Sequence, residues 1–210
     1  MTRRCISITL AANTPEWPGD TPYSCTWAWR MADGASVNVS SLSGSPHVGT
    51  HADAPLHVRD GAPSADALPL DAFLGPATVI DLQDCHGEIQ ADDQRLQRPI
   101  AGGRLLLRTG RTIADGVFPN RWPVLSTEAV RALLQRGLRL LGVDCPSVDD
   151  RDSKTLAVHH AIFDGGACIL ENLDLRAVAA GDYRLVALPL KIAAVDAAPV
   201  RAVLEDLGPA

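Results

Sequence analysis

The sequence predicts a single mixed α/β domain spanning residues 1–210, with central β-structure flanked by helices. Three observations predict it. Short apolar runs of buried-strand type recur along the chain, and two segments read as helices. In addition, 46% of the 210 residues are hydrophobic and no long polar tract interrupts them, enough to bury a substantial core.

Taken in order, CISITL (5–10) reads as a strand and is followed by a Pro-rich loop, NTPEWPGDTPY (13–23). CTWAWR (25–30) and SVNVSSLS (36–43) read as further strands. ATVIDL (77–82), GRLLLRTG (103–110) and LRLLGVD (138–144) are short apolar runs typical of buried strands. Between the last two, LSTEAVRALLQRG (125–137) has helical periodicity, with Ser126 or Thr127 able to cap it and Gly137 to stop it. TLAVHHAIFDGG (155–166) is a second helix, ACILENL (167–173) a loop or strand, and YRLVALPL (183–190) a final strand. No repeat is present, and strand topology does not follow from these runs.

Composition excludes several classes. A net charge of −6 and a pI near 5.4 argue against a general nucleic-acid binder, as does the lack of a basic run interleaved with aromatics. The N-terminal stretch MTRRCISITLAANTPEW is charged but has no long apolar core, so no signal peptide is expected. No segment approaches the roughly 18 apolar residues of a membrane span. Five cysteines, at 5, 25, 85, 145 and 168, never form CxxC. An odd count without that spacing suggests reduced thiols in a cytoplasmic protein, not a disulfide framework.

Chemistry concentrates in SPHVGTHADAPLH, residues 45–57, which holds three of the six histidines and an aspartate. His47, His51, Asp53 and His57 are in phase for one face of an extended backbone. Pro46, Gly49 and Pro55 oppose a helix. A straight strand would put His47 and His57 about 33 Å apart, so the loop must curl, with Gly49 supplying the unusual backbone angles. Such a curl brings His47, His51 and Asp53 onto one ion and holds His57 slightly apart. One such histidine alone would read as a surface residue; the set reads as a metal site, although not a zincin, since no Glu follows His47.

A second constellation is LAVHHAIFDGGACILENLDL. On a helix His159 and His160 face about 100° apart, so only one looks into a given site. Glu171 stands between apolar residues, where an unpaired carboxylate is costly unless a cation is near.

Together these segments resemble the metal-dependent cyclase-like hydrolase family. The likeness runs over nearly the whole chain: TPEWPGDTPY, HVGTHADAPLH, GVDCPSVDDRDSKTLAVHH, ILENL and LVALPLKI. The pattern HxGTHxDxPxH is specific to the family, and the WPGD and GVDxPS–HH segments point to its arylformamidase branch.

The resemblance implies a swivelling β/β/α fold and a homodimer; the long, Pro-rich and aromatic segment 1–30 is compatible with an inter-subunit arm, although aromatics in such segments also serve as core. It implies two divalent ions per subunit, with zinc expected and Mn²⁺ compatible with the ligand set. His47, His51 and Asp53 would hold one ion. Asp53 would bridge to a second, completed by His159 and Glu171, while His160 has a supporting or structural place. His57 would be the general acid/base and Trp17 would line the substrate pocket. The implied reaction is hydrolysis of N-formyl-L-kynurenine to L-kynurenine and formate in tryptophan breakdown. A related amide or lactam hydrolase of the isatin-hydrolase kind, or a non-catalytic metal-binding protein, are the alternatives. A histidine beside the ligands favours catalysis, because metal storage has no use for it.

Four other residues or groups read as non-catalytic or auxiliary. Cys145 is a buried strand-end thiol, His86 a surface-loop residue, and Ser45 and Ser147 lack a base–acid arrangement. Asp144 and Asp149 orient ligands or close turns.

Overall fold

The computed structural model describes residues 2–207. In chain order its first strands are β1 (Arg3–Cys5), β2 (Ser24–Trp29), β3 (Val39–Ser43), β4 (His51–Asp53), β5 (Leu74–Asp81), β6 (Glu88–Ile89) and β7 (Arg104–Arg108). Helix α1 (Thr127–Gln135) lies between β8 (Val124–Leu125) and β9 (Leu140–Val143). Helix α2 (Ala157–Asp164) then precedes β10 (Cys168–Glu171), β11 (Gly181–Val186), β12 (Ala197–Pro199) and β13 (Val203–Asp206).

Nine strands form one curled sheet in the order β1-β13-β11-β5-β7-β9-β10-β4-β12. The middle four, β5, β7, β9 and β10, run parallel, and antiparallel strands extend the sheet on both sides. Leu105 and Leu107 on β7 pack into a core with Val130, Leu133 and Ile162 of the helices, whereas Leu106 between them packs with Leu185 and Leu204 on the opposite face. Strands buried on both faces read as unbroken apolar runs, which is why 77–82, 103–110 and 138–144 are recognisable in the sequence.

The helices start and stop where the chain allows. Ser126 Oγ accepts from the Ala129 N–H at 3.0 Å, satisfying one of the free donors at the first turn of α1. Gly137, at φ +86°, turns the chain out of the helix.

Two expected strands differ. Residues 5–10 do not form one strand: β1 ends at Cys5, the Ile6 N–H goes to Ala202 O, Ser7 makes a lone bridge to Leu173, and the Ile8 N–H goes to the Thr50 hydroxyl. Only Ile6 of the run is buried, and its backbone meets several partners in turn instead of one strand. Residues 183–190 likewise contain strand only to Val186; Pro189, which has no N–H to give a ladder, lies beyond it. The segment 167–173 resolves as β10. Strands β12 and β13 were not foreseen.

Among the described residues β2 and β3 pair only with each other, and every residue in both is exposed. The ribbon presents Trp27, Trp29 and Leu42, the last 65% exposed.

Candidate metal centre

The site grows from the short strand β4. His51 and Asp53 alternate with Ala52, so both carry their side chains to one face while Ala52 enters the core on the other. Antiparallel pairing sets Glu171 of β10 directly opposite His51. Helix α2 packs against β10 and contributes His159. The turn before β4 supplies His47, and a 3₁₀ turn after it, Pro55–His57, supplies His57. Gly49 makes the first turn possible: it sits at φ +74°, and a Cβ there would meet Leu10 at 2.5 Å.

Their donor atoms converge. His47 Nδ1 and His51 Nε2 each lie 3.2 Å from Asp53 Oδ1 and 3.1 Å from each other. The other oxygen, Asp53 Oδ2, lies 3.3 Å from His159 Nε2. Glu171 divides its carboxylate similarly, with Oε2 3.5 Å from His51 Nε2 and Oε1 3.4 Å from His159 Nε2. The sequence thus brings together His47, His51, Asp53, His159 and Glu171, with both carboxylates facing two histidine groups.

Each ring has its remaining nitrogen occupied. The Gly49 carbonyl lies 2.9 Å from His51 Nδ1 and Asp149 Oδ2 lies 2.6 Å from His159 Nδ1. Asp196 Oδ2 lies 2.9 Å from His47 Nε2. Because a carbonyl or ionised carboxylate only accepts, these contacts keep a proton on each outer nitrogen, so that a ring made neutral turns its lone pair toward Asp53 and Glu171. Asp149 also accepts from the Val158 and His159 N–H groups, capping the otherwise uncapped start of α2 with negative charge.

Electrostatically the cluster is built for cations. Burial disfavours charge on His47 and His51, but Asp196 and Asp53 beside His47, and Asp53 and Glu171 beside His51, outweigh it. They lift the two to about 9 and about 10. Burial would raise Asp53, yet the surrounding His51, His159 and His47 hold it well below the usual carboxylate range.

Asp53 Oδ1 gives the test of fit. It is buried and has no hydrogen-bond partner, although two ring nitrogens lie 3.2 Å away. Donors held at about 2.0–2.1 Å by one tetrahedral ion stand about 3.3–3.4 Å apart, close to the spacing here. The residues therefore fit a divalent cation: an orphaned carboxylate oxygen and aligned lone pairs are what such an ion satisfies.

Beside the cluster lies a cavity of about 290 Å³, lined by Trp17, Phe118, Pro146, Leu156, Asp20 and Asn172 together with His47, His57, His159 and Glu171. Trp17 packs edge-on against Phe118 and Trp122, at centroid distances of 5.4 and 6.0 Å. The Trp122 indole N–H donates to Asp149 O at 2.8 Å, joining the aromatic wall to the residue that orients His159.

The remaining candidates separate cleanly. His160 lines a shallow groove with Thr127 and Arg131 on another side of α2. His86 is exposed. Cys145 is buried, donates to Ser147 O, and burial above all pushes its thiol pKa well up, away from nucleophilic use. Asp144 closes a turn by accepting from the Thr109 and Gly110 N–H groups. Ser45 and Ser147 hydroxyls serve the neighbouring backbone, at His47 and Asp149. Sequence reasoning missed Asp196, Phe118 and Asn172.

With this geometry in view, residues 5–150 match the family model described as Cyclase. This chain belongs to the cyclase family. Among curated relatives of the family, the kynurenine formamidase of Bordetella petrii is 44% identical over 203 residues, covering 97% of each chain. A solved structure described as a potential metal-dependent hydrolase with cyclase activity is 26% identical, with a TM-score of 0.82 over 99% of each chain. Isatin hydrolase A from Labrenzia aggregata, at 23% identity and a TM-score of 0.78 over 97% of this chain and 93% of its own, shares the cyclase fold.

Proposed function

We propose that this cyclase-family chain hydrolyses the formamide of N-formyl-L-kynurenine, releasing L-kynurenine and formate. The observation that carries the reading is the cluster of five donors, four of them buried, beside an aromatic-walled cavity, in a chain 44% identical to a kynurenine formamidase over nearly its whole length.

His47, His51 and Asp53 would hold one ion, and His159 would hold a second. Asp53, with one oxygen toward each group, would be shared between them, and Glu171 would complete the second. Zinc suits three imidazoles and two carboxylates. When bound, divalent ions supply a water nucleophile at neutral pH and Lewis acidity toward the formyl carbonyl.

The chain's own residues do the rest. His57 has one ring nitrogen on Asp196 and lines the cavity, so its other nitrogen is free to take a proton from the attacking water. As the C–N bond breaks, it returns that proton to the departing aryl nitrogen, acting as base and then as acid. Trp17, with Phe118, offers an apolar surface for the aryl ketone. The aromatic wall also limits water around the reacting formyl group.

The exposed β2–β3 ribbon completes the reading. An isolated two-stranded hairpin is marginal in water, and this one displays tryptophans and Leu42. A second copy of the chain would cover it, giving a homodimer with the N-terminal region as the contact.

The test is formate release from N-formyl-L-kynurenine by metal-stripped and reconstituted protein. Activity that vanishes with the metal and returns with it is expected. A fully loaded protein that releases no formate would end the proposal.

A further inference from the structure

Asp196 stands in AAVDAAP, a run of small residues with no motif around it. The sheet order seats β12 beside β4 with Ala197 opposite Asp53, and this delivers Asp196 to the rim of the donor cluster. There a single oxygen, Oδ2, meets two rings: His47 Nε2 at 2.9 Å and His57 Nδ1 at 3.1 Å. The two rings lie 4.3 Å apart, tilted 47°, and His57 in turn lies 5.6 Å from the His159 ring.

An ionised carboxylate can only accept. Both ring protons therefore sit on the nitrogens that face it.

We propose that Asp196 is a positioning residue for proton transfer by His57: it keeps the His57 proton on Nδ1, so that Nε2 presents its lone pair to the reacting water and then carries the proton to the departing nitrogen. The same oxygen keeps the His47 proton on Nε2 and turns Nδ1 toward Asp53. One carboxylate thus sets two tautomers in opposite senses and ties the orientation of the proton carrier to that of a metal-facing ring. Without it His57 is free to rotate and to present the wrong nitrogen. The inference rests on the formamidase reading.

Asp196→Asn tests it directly, because an amide keeps the shape but offers its own N–H to His57 Nδ1 and favours the opposite tautomer. With each protein titrated to full metal occupancy, kcat for formate release from N-formyl-L-kynurenine should fall about 10²-fold at nearly unchanged KM, in the range seen when a carboxylate that orients a catalytic or metal-bound histidine is removed. At matched full metal occupancy, which removes the share of the effect that runs through His47, the double variant Asp196→Asn/His57→Ala should be no slower than His57→Ala alone, since the carboxylate then acts through that ring. Asp196→Ala should show the same non-additivity if the Asn variant folds poorly. Losses that multiply in the double variants, or a fully loaded Asp196→Asn protein with wild-type kcat, would overturn the proposal. A wild-type protein inactive on all arylformamides would instead overturn the functional reading and this inference with it, so the two failures are distinct.

Discussion

Asp53 Oδ2 lies 3.3 Å from His159 Nε2, a contact between residues 106 positions apart, while Asp53 Oδ1 faces His47 and His51. One carboxylate therefore belongs to two groups of nitrogen donors. Asp53→Asn removes the charge both groups share and should strip most of the metal from the protein. His57→Ala removes no proposed ligand and should leave the content intact. Elemental analysis of the two variants beside wild type decides it; full metal in Asp53→Asn would refute the shared role.

The two adjacent histidines of α2 should behave differently. His159 is buried in the cluster and oriented by Asp149, whereas His160 lines a groove elsewhere. His159→Ala should lose about half of the metal, and His160→Ala none. Equal loss in both, by the same measurement, would mean that His160 also serves the centre.

Proton linkage gives a third expectation. In the metal-free protein His47 and His51 are lifted to about 9 and about 10, so both are protonated at pH 7.5 and must lose those protons to ligate. His159, also a proposed ligand, is likewise held against burial well above its ordinary value by Asp149, Asp53 and Glu171. Metal loading at that pH should therefore release two or more protons per chain, seen as buffer-dependent heats in calorimetry, and affinity should rise with pH. Raised folded values also stabilise the metal-free fold: that contribution is complete below about 6.5 and is lost as pH rises through 9 to 10. The melting temperature of metal-free protein should fall across this window more steeply than that of the loaded form. Buffer-independent heats would contradict the protonated state.

The ribbon of β2 and β3 predicts assembly. Light scattering should return about twice the 22.3 kDa chain mass, and Trp29→Ser with Leu42→Ser should shift the protein toward one copy. A wild-type mass of one chain at micromolar concentration would exclude the homodimer.

Much of this arrangement was legible in the sequence, for local reasons. His51 and Asp53 share a face because strand side chains alternate, and a buried glutamate in ILENL asks for a cation. Three of the four parallel strands were legible because burial on both faces leaves them mostly apolar. His57 was placed in phase with an extended strand but reaches the site through a 3₁₀ turn, so spacing found the residue without its local geometry. Asp196 was illegible: it lies 139 residues from His57, and only the non-sequential strand order β10-β4-β12 brings it there. Phe118 and Trp122 come from a loop without periodicity, and the 5–10 run misled because its backbone meets several partners in turn instead of one strand.

The central claim is that His57 moves the proton in a metal-dependent amide hydrolysis, and kcat of a fully loaded His57→Ala protein tests it most directly. On N-formyl-L-kynurenine, kcat should fall by about 10²–10⁴-fold with KM nearly unchanged, the usual worth of positioned acid–base catalysis. The deficit should be larger on alkyl formamides, whose amines leave less readily without a proton. Near-wild-type kcat on both substrates, with metal content verified, would remove His57 from the mechanism.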